Sequence, residues 1–300
     1  MPLLVMARSS QEPPHSRTRP AVGRPWRRLL RHRLFWTGCL VLLLLVAFSF
    51  VGPMVWRRTA LYNVAKMLTP PGPGYPLGAD ALGRDNLWEL MLGGQLPIVT
   101  GFATATVATA LGVGAGLLAA LHHRLEGPLM RMVDVVLSIP QIIPIIIVQS
   151  LFGDNVYTLM GIVALTLWPA TTRLVWARVI LIREMPYIEA ARAEGLSNGQ
   201  VLARHILPNS FDTITACFAT QFGSSVLFIA IATALGVGLG PPWNWATMIA
   251  TSLGYMSFND WWLVIPPGLL FAALIMSVYL LTEAVRMAWN PRLQSGLYTP

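Results

Sequence analysis

Charge is what this chain has least of. Asp, Glu, Lys and Arg make up 11% of its 300 residues, against 55% hydrophobic residues, and its mean hydropathy is +0.59. A soluble domain carries about 25% charged residues. So low a content excludes a disordered chain, argues against an ordinary soluble enzyme, and makes a polytopic membrane protein the first reading. Lysine is nearly absent: Lys66 stands alone beside twenty arginines. A phosphate-cradling Gly-x-x-x-x-Gly-Lys-Ser/Thr loop is therefore excluded, because Lys66 sits in Asn-Val-Ala-Lys-Met. A Schiff-base lysine would have to be this one residue, and nothing around it suggests that role. If ATP drives this protein, another chain binds it. The two cysteines, Cys39 and Cys217, lie in apolar stretches and suggest neither a disulfide framework nor a zinc spacing. The five histidines are scattered, and the His122-His123 pair before Arg124 reads as an interfacial cap rather than a metal site. No Ser-His-Asp, Cys-His or paired-carboxylate constellation is visible, so an intramembrane hydrolase has no support.

What the chain has instead is a series of long uncharged runs. The run 34–56 would span roughly 35 Å as a helix at about 1.5 Å per residue, enough to cross a bilayer. It is longer than a secretory signal core and no small-x-small cleavage site closes it, so it is read as an uncleaved first span. Further spans are predicted at about 96–121, 135–152, 155–172, 211–237 and 261–282. Only Gly153-Asp154-Asn155 divides the third from the fourth. Six spans put both ends on one side. The organisation is a basic arm (1–33), a first span with its outer loop (34–95), a core (96–290) containing an inner loop (173–209), and a tail (291–300). The arm holds eight arginines, one acid (Glu12) and several prolines, and is predicted to be disordered, cytosolic and close to an anionic lipid face.

Basic residues choose the orientation. With the N-terminus inside, seventeen of the Lys and Arg residues fall on cytosolic segments. Four fall outside: Arg57, Arg58, Lys66 and Arg84. Both termini are therefore predicted to be cytosolic. The outer loop 57–95 contains Thr69-Pro-Pro-Gly-Pro-Gly, which cannot be helical. After it, 79–92 has a helical pattern, with Asp80 four residues before Arg84 and an apolar side bearing Trp88. In the inner loop, Pro186 can open a short Ala-rich helix at 187–194. Gly195 suits a left-handed position after that helix. Ser197-Asn-Gly-Gln200 is a capping box for a second helix, which Pro208 is expected to stop. Two short helices at an angle on the inner face read either as a docking element or as a solvated amphipathic connector.

Here a resemblance becomes specific. Glu189-Ala190-Ala191, Gly195 and then Ile206-Leu207-Pro208 resemble the EAA motif of ABC-importer permeases, and His205-Ile-Leu-Pro-Asn209 resembles its dipeptide/oligopeptide/nickel form. Pro76-Leu-Gly-Ala-Asp80 with Gly83-Arg-Asp85 is similar to that subfamily's signature in the first outer loop. Leu129-Met-Arg131 with Asp134 and Ser138-Ile-Pro140 resembles the start of its third span, and Asn290-Pro-Arg-Leu293 its end. The matches run in order from about residue 26 to 294, and their placement is that of the "C" type of the two paired permeases. The resemblance implies an all-α integral membrane protein with six transmembrane helices and the type I ABC importer permease architecture. It implies a multi-pass subunit of a bacterial or archaeal plasma membrane with no catalytic residue and no cofactor of its own. ATP and magnesium would be bound by two partner ATPases. A homologous second permease, an extracytoplasmic binding protein and membrane lipid complete the expected partners; no nucleic acid is implied. Tyr187, Glu189, Ala190, Ala191, Gly195, Ile206, Leu207 and Pro208 would couple to the ATPases. Asp80, Arg84 and Asp85 would meet the binding protein, with a simple lid over the bundle as the rival reading. The expected cargo is a di- or oligopeptide, with nickel or a metal chelate as the alternative. Two positions depart from the pattern: Ile229 stands where the family often has an acid, and Tyr75 where it often has His.

The remaining polar groups of the spans are Gln141, Gln149 and Gln221, which read equally as pathway lining or as inter-helix hydrogen bonders. Gly112, Gly114 and Gly116 include a Gly-x-x-x-Gly suited to close helix packing. No charge lies near the centre of a span, which disfavours a secondary transporter with an ionisable relay; a membrane scaffold is the other rival.

Overall fold

The computed structural model describes residues 25–56, 63–153, 155–237, 243–254 and 260–289. Most of the basic arm, Arg57, Arg58, Asp154, the end of the Gly-Pro stretch at 238–242, the segment 255–259 and the Asn290–Leu293 match lie outside the described residues. The helices are α1 (Pro25–Leu29), α2 (Arg33–Phe50), α3 (Gly52–Val55), α4 (Asn86–Gly93), α5 (Gln95–Leu121), α6 (His123–Ser138) and α7 (Ile142–Phe152), then α8 (Val156–Arg183), α9 (Pro186–Ala193), α10 (Asn198–Val201), α11 (Leu207–Ala234), α12 (Trp245–Leu253) and α13 (Trp261–Trp289). Among the described residues there is no strand, only two isolated bridges in the outer loop.

Five stretches are long and apolar enough to cross a membrane: α2 with α3, α4 with α5, α8, α10 through α11, and α13. The third predicted span is not a straight helix. It divides into α6 and α7, bent by 84° at Ile139-Pro140-Gln141. Pro140 cannot donate to a helical ladder and disfavours helix at the residue before it. α7 alone is 11 residues, about 16 Å, half a bilayer.

Packing decides that the bent pair nevertheless carries the chain across. Gly112 lies against Trp168 and Thr171, Gly116 against Thr172 and Val175, and the Arg183 guanidinium donates to the carbonyl of Ala120. α5 and α8 therefore run parallel with their C-terminal ends together, so α6 and α7 must return the chain to the opposite face. Gln149, near the end of α7, donates to Asn155 at the start of α8 at 3.0 Å, which closes that return. α11 runs back along α8: Gln221 reaches Leu167 and Arg178 reaches Asn209. Gly38 packs on Ser277 and Leu281, so α13 is antiparallel to α2, and Leu29 packs with Ala284 and Ala288. Phe211 and Trp289 stack at 4.8 Å. One face of the bundle thus holds α1, both short inner helices and the end of α13; the other holds the outer loop, α4 and α12.

Two boundaries and one further element differ from expectation. α8 continues to Arg183 rather than ending near 172, because Arg173 and Arg178 beyond the apolar part pair with Asp134 and Asp212. Pro208 does not stop the inner helix. A π-helical turn, Leu202–Ile206, in which Leu207 N–H donates to the Leu202 carbonyl, carries the helix through Pro208 into α11. α12 was not foreseen: its nine residues are too few to span. Asn244 caps it reciprocally with Thr247, and Trp245, fully buried, anchors it by donating Nε1 to Leu90 at 2.7 Å.

The core follows the small residues. A Cβ on Gly112 would lie 2.8 Å from the Trp168 carbonyl oxygen, whereas Gly114 faces open space. Gly112→Leu is expected to destabilise the bundle by about 1–3 kcal/mol through overpacking, lowering the thermal unfolding temperature of the purified protein, while Gly114→Leu leaves it unchanged. Equal effects at both positions would contradict the α5–α8 interface. Ile229 is buried with Ala108, Leu159, Val163 and Ala232, an apolar setting in which an acid would be strongly desolvated.

Candidate functional site: an inner element and an outer lid

The inner element begins where α8 ends at Glu184. Met185 is extended, Pro186 opens α9, and the helix closes in a Schellman arrangement: Gly195 N–H donates to Arg192 and Leu196 N–H to Ala191. Gly195 has φ +90° with nothing within 4 Å of where a Cβ would be. The turn thus needs glycine for its backbone conformation, not for space. Ser197 and Gln200 then form the reciprocal capping box of α10.

Burial divides the expected coupling residues into two sets. Ala191 and Ile206 point inward, the latter into a cluster with Ala120, Val175, Val179, Ile182, Ile188 and Val201. Tyr187, Glu189, Ala190, Gly195, Leu207 and Pro208 are exposed. The element is therefore bolted to the C-terminal ends of α5 and α8 through one apolar seam and presents its other side. Ile188 and Val201 are anchors that motif matching did not single out; the Ile188–Ala191 spacing, one helical turn, was the available signal. Arg183 to the Ala120 carbonyl, and Arg178 to Asp212 at 3.3 Å and to the Asn209 carbonyl at 3.1 Å, tie the same seam to α5 and α11. α9 thus packs on α8, and α8 is tied in turn to α11.

The outer loop is not the helix its pattern suggested over 79–85. Asp80 turns the chain instead. Its Oδ1 accepts from the N–H groups of Leu82 and Arg84, and Gly83 takes φ +75°. Such side-chain-to-backbone bonds compete with helix. α4 starts only at Asn86, capped by Asp85, whose Oδ1 accepts from Leu87 N–H at 3.0 Å and whose Oδ2 accepts from Trp56 Nε1 at 3.1 Å. Arg84 donates Nε and Nη2 to Asp80 Oδ2 at 2.8 and 2.6 Å, and its Nε also lies 2.7 Å from Glu89. The single Nε–H points at Asp80, so Glu89 Oε1 accepts no hydrogen bond from it. Glu89 is 2% exposed, and the Arg84 guanidinium offsets only part of the penalty of burying its carboxyl group beside Asp80 and Asp85. Asn86 donates to the Trp262 carbonyl at 2.6 Å and Trp262 Nε1 to the Ala79 carbonyl at 3.4 Å, sewing the loop onto α13. Asp80, Arg84 and Asp85 are thus brought together, but their polar atoms are used inside the loop. The exposed part is the Pro70–Gly74 tip and its neighbours.

Of the three glutamines, Gln221 is 3% exposed and donates to the Leu167 carbonyl and Thr171 Oγ1 at 2.9 and 2.6 Å. Gln149 is 1% exposed and donates to Gly153 and Asn155. Both hold helices together. Gln141 sits half-buried at the bend between α6 and α7.

A parallel-and-antiparallel bundle with a projecting inner element and a folded outer lid defines an all-helical membrane permease subunit. The chain belongs to the family of binding-protein-dependent transport system inner membrane components, whose profile matches residues 112–289. Residues 23–71 match the N-terminal transmembrane domain of oligopeptide transport permease C. A Brucella abortus protein named as a peptide transport system permease is 29% identical over 270 residues, covering 89% of this chain and 91% of that protein. A glutathione transport system permease protein of Pectobacterium atrosepticum is also 29% identical, over 90% of this chain and 91% of its own. An inward-facing structure of the MetNI methionine ABC transporter contains a chain with the same fold: TM-score 0.56, 19% identity, 68% of this chain and 97% of that one. The type I importer permease fold expected from the resemblance is the one observed.

Proposed function

We propose that this chain is the C-type permease subunit of an ATP-driven importer of di- or oligopeptides. It provides half of an alternating-access pathway and no chemistry. A homologous permease supplies the other half, two ATPase subunits bind ATP and magnesium, and an extracytoplasmic binding protein delivers the cargo. The observation that carries the reading is the inner element, one side seated on α8 and the other presented outward with Tyr187, Glu189 and Ala190 exposed. A groove on an ATPase that grips this side and moves on nucleotide closure would pull α8 and α11 directly. The substrate class rests on the oligopeptide-permease match and the peptide and glutathione relatives. The lid geometry favours the structural reading of Asp80, Arg84 and Asp85: they shape the outer loop, and the binding protein meets its exposed surface. Gln141, at the bend, is the glutamine that remains as a pathway-lining candidate.

The test is uptake. Proteoliposomes holding both permeases and the ATPases should accumulate a labelled dipeptide or tripeptide only with ATP and the binding protein present. Accumulation driven by a proton or sodium gradient without ATP would refute the reading, and ATP-driven uptake of nickel but not peptide would refute the substrate class. The basic-residue asymmetry further predicts that reporters at Lys66 and after Gly254 read as extracytoplasmic and one at Asn198 as cytosolic. A cytosolic signal at Lys66 would reverse the orientation.

A further inference from the structure

The first membrane helix begins at an open basic cleft that the transport reading does not use. Arg28, Arg31, His32, Arg33 and Leu34 line it, around about 520 Å³. α1 and the turn after it are held in place by Leu29, 4% exposed, against Ala284 and Ala288 of α13, and by N–H groups of Arg31 and His32 donating to Arg28 and Leu29. Three residues of the lining, His32, Arg33 and Leu34, are the N-cap and first turn of the 18-residue α2, which starts without a side-chain cap. The first-turn amides of such a helix favour an anion. The sequence holds no Asp or Glu between Glu12 and Asp80. On α13, against which α1 packs, Glu283 is paired with Arg286 at 2.7 Å. Just beyond the cleft Trp36 is 59% exposed and its Nε1 donates to the Leu30 carbonyl at 2.8 Å, a tryptophan placed as those at headgroup depth are.

We propose that Arg28, Arg31, His32, Arg33 and the start of α2 form a binding site for the phosphate of an anionic phospholipid headgroup. It lies in the leaflet on the side of the inner element, and the bound lipid bridges α1 and the start of α2. Guanidinium groups match phosphate oxygens with paired donors, and an inner leaflet supplies anionic headgroups at the depth where α2 enters. The choice of leaflet rests on the orientation proposed above. Lipid retention needs neither ATP nor peptide, so it can fail while the transport reading stands.

The test is native mass spectrometry of the full-length protein released from nanodiscs of phosphatidylcholine doped with phosphatidylglycerol. Retained phosphatidylglycerol should be enriched several-fold over its share of the bilayer. Arg28→Gln/Arg31→Gln/Arg33→Gln should bring the ratio down to the bilayer value, and the matching triple lysine variant should keep most of the enrichment. Replacing Arg8, Arg17, Arg19 and Arg24 with Gln instead should leave it unchanged. Should the triple glutamine variant fail to purify, Arg31→Gln alone, an exposed side chain, should still reduce the ratio. Unchanged enrichment in both cleft variants, or loss only with the four upstream substitutions, overturns the site. No enrichment of phosphatidylglycerol in the unaltered protein, together with saturable binding of inorganic phosphate that the triple glutamine variant loses, overturns the lipid as its occupant and leaves a free-anion site.

Discussion

Gly83→Val is expected to prevent the outer lid from closing and to lower the yield of folded protein severely. Two costs add at this residue. Its φ of +75° lies in the left-handed region, where a β-branched residue is an outlier, at roughly 1–2 kcal/mol for an ordinary side chain and more for valine. A Cβ would also overlap the Asn63 carbonyl group, 2.7 Å from its carbon, and this is backbone, held by Asn63 N–H donating to the Leu82 carbonyl at 3.3 Å. Relief requires the two arms of the loop to separate. That would undo the Asp80 turn with its Arg84 pair and unpack the buried Glu89, a further loss of about 1–3 kcal/mol. Protease sensitivity of the 63–85 segment and thermal unfolding in detergent measure it. Gly74→Val is the control: its φ is also positive, +89°, but nothing lies within 4 Å of its Cβ position. A Gly83→Val protein as stable and protease-resistant as the Gly74→Val protein would show that the lid does not close through this contact.

Gly195→Val is expected to leave the bundle intact and to reduce ATP-dependent uptake by about tenfold or more. No atom obstructs the new side chain, so the effect is conformational: about 1–3 kcal/mol of backbone strain, at 1.4 kcal/mol for each tenfold in an equilibrium. The chain relieves that strain by opening the turn after α9, which loses the Gly195-to-Arg192 and Leu196-to-Ala191 bonds and tilts the exposed side of the element. Gly195→Asn should retain much of the uptake, since asparagine tolerates the left-handed region. Thermal stability should be close to the unaltered protein in both, because the Ile188–Ile206 seam lies on the other side of the element. Full uptake by Gly195→Val would show that the shape of this turn does not transmit force to the spans.

The inner element was legible because its signals are local. A proline that opens a helix, a glycine that closes it and a Ser-x-x-Gln box each act within a few residues, and each is seen where the spacing placed it. The Gly112–Gly116 spacing likewise foretold a close helix contact, and the same-face placement of the described ends follows from the even number of crossings. The outer loop misled because its helical pattern over 79–92 was real only from Asn86. Before that, the Asp80 carboxylate offered backbone N–H groups a better partner than a helical turn would. Nor does a sequence show that Asp80 and Arg84 pair with each other and that Asp85 caps α4. α12 was hidden for a different reason: nine residues, shorter than a span, whose anchor, the bond from Trp245 to Leu90, joins positions far apart in the chain.

Composition and hydropathy were sufficient to specify a membrane bundle, its approximate spans and the absence of a nucleotide loop, because lipid admits few structures and demands long apolar runs. The motif order was sufficient to indicate the family. Packing alone established that the bent α6–α7 pair crosses the bundle, since this follows from α5 and α8 lying parallel with Arg183 at Ala120. Packing also assigned Gln149 and Gln221 to holding helices together, and turned Ala191 and Ile206 inward and Tyr187 and Glu189 outward. Those choices depend on which residues distant in sequence become neighbours. Periodicity along one helix fixes a face but not what that face meets.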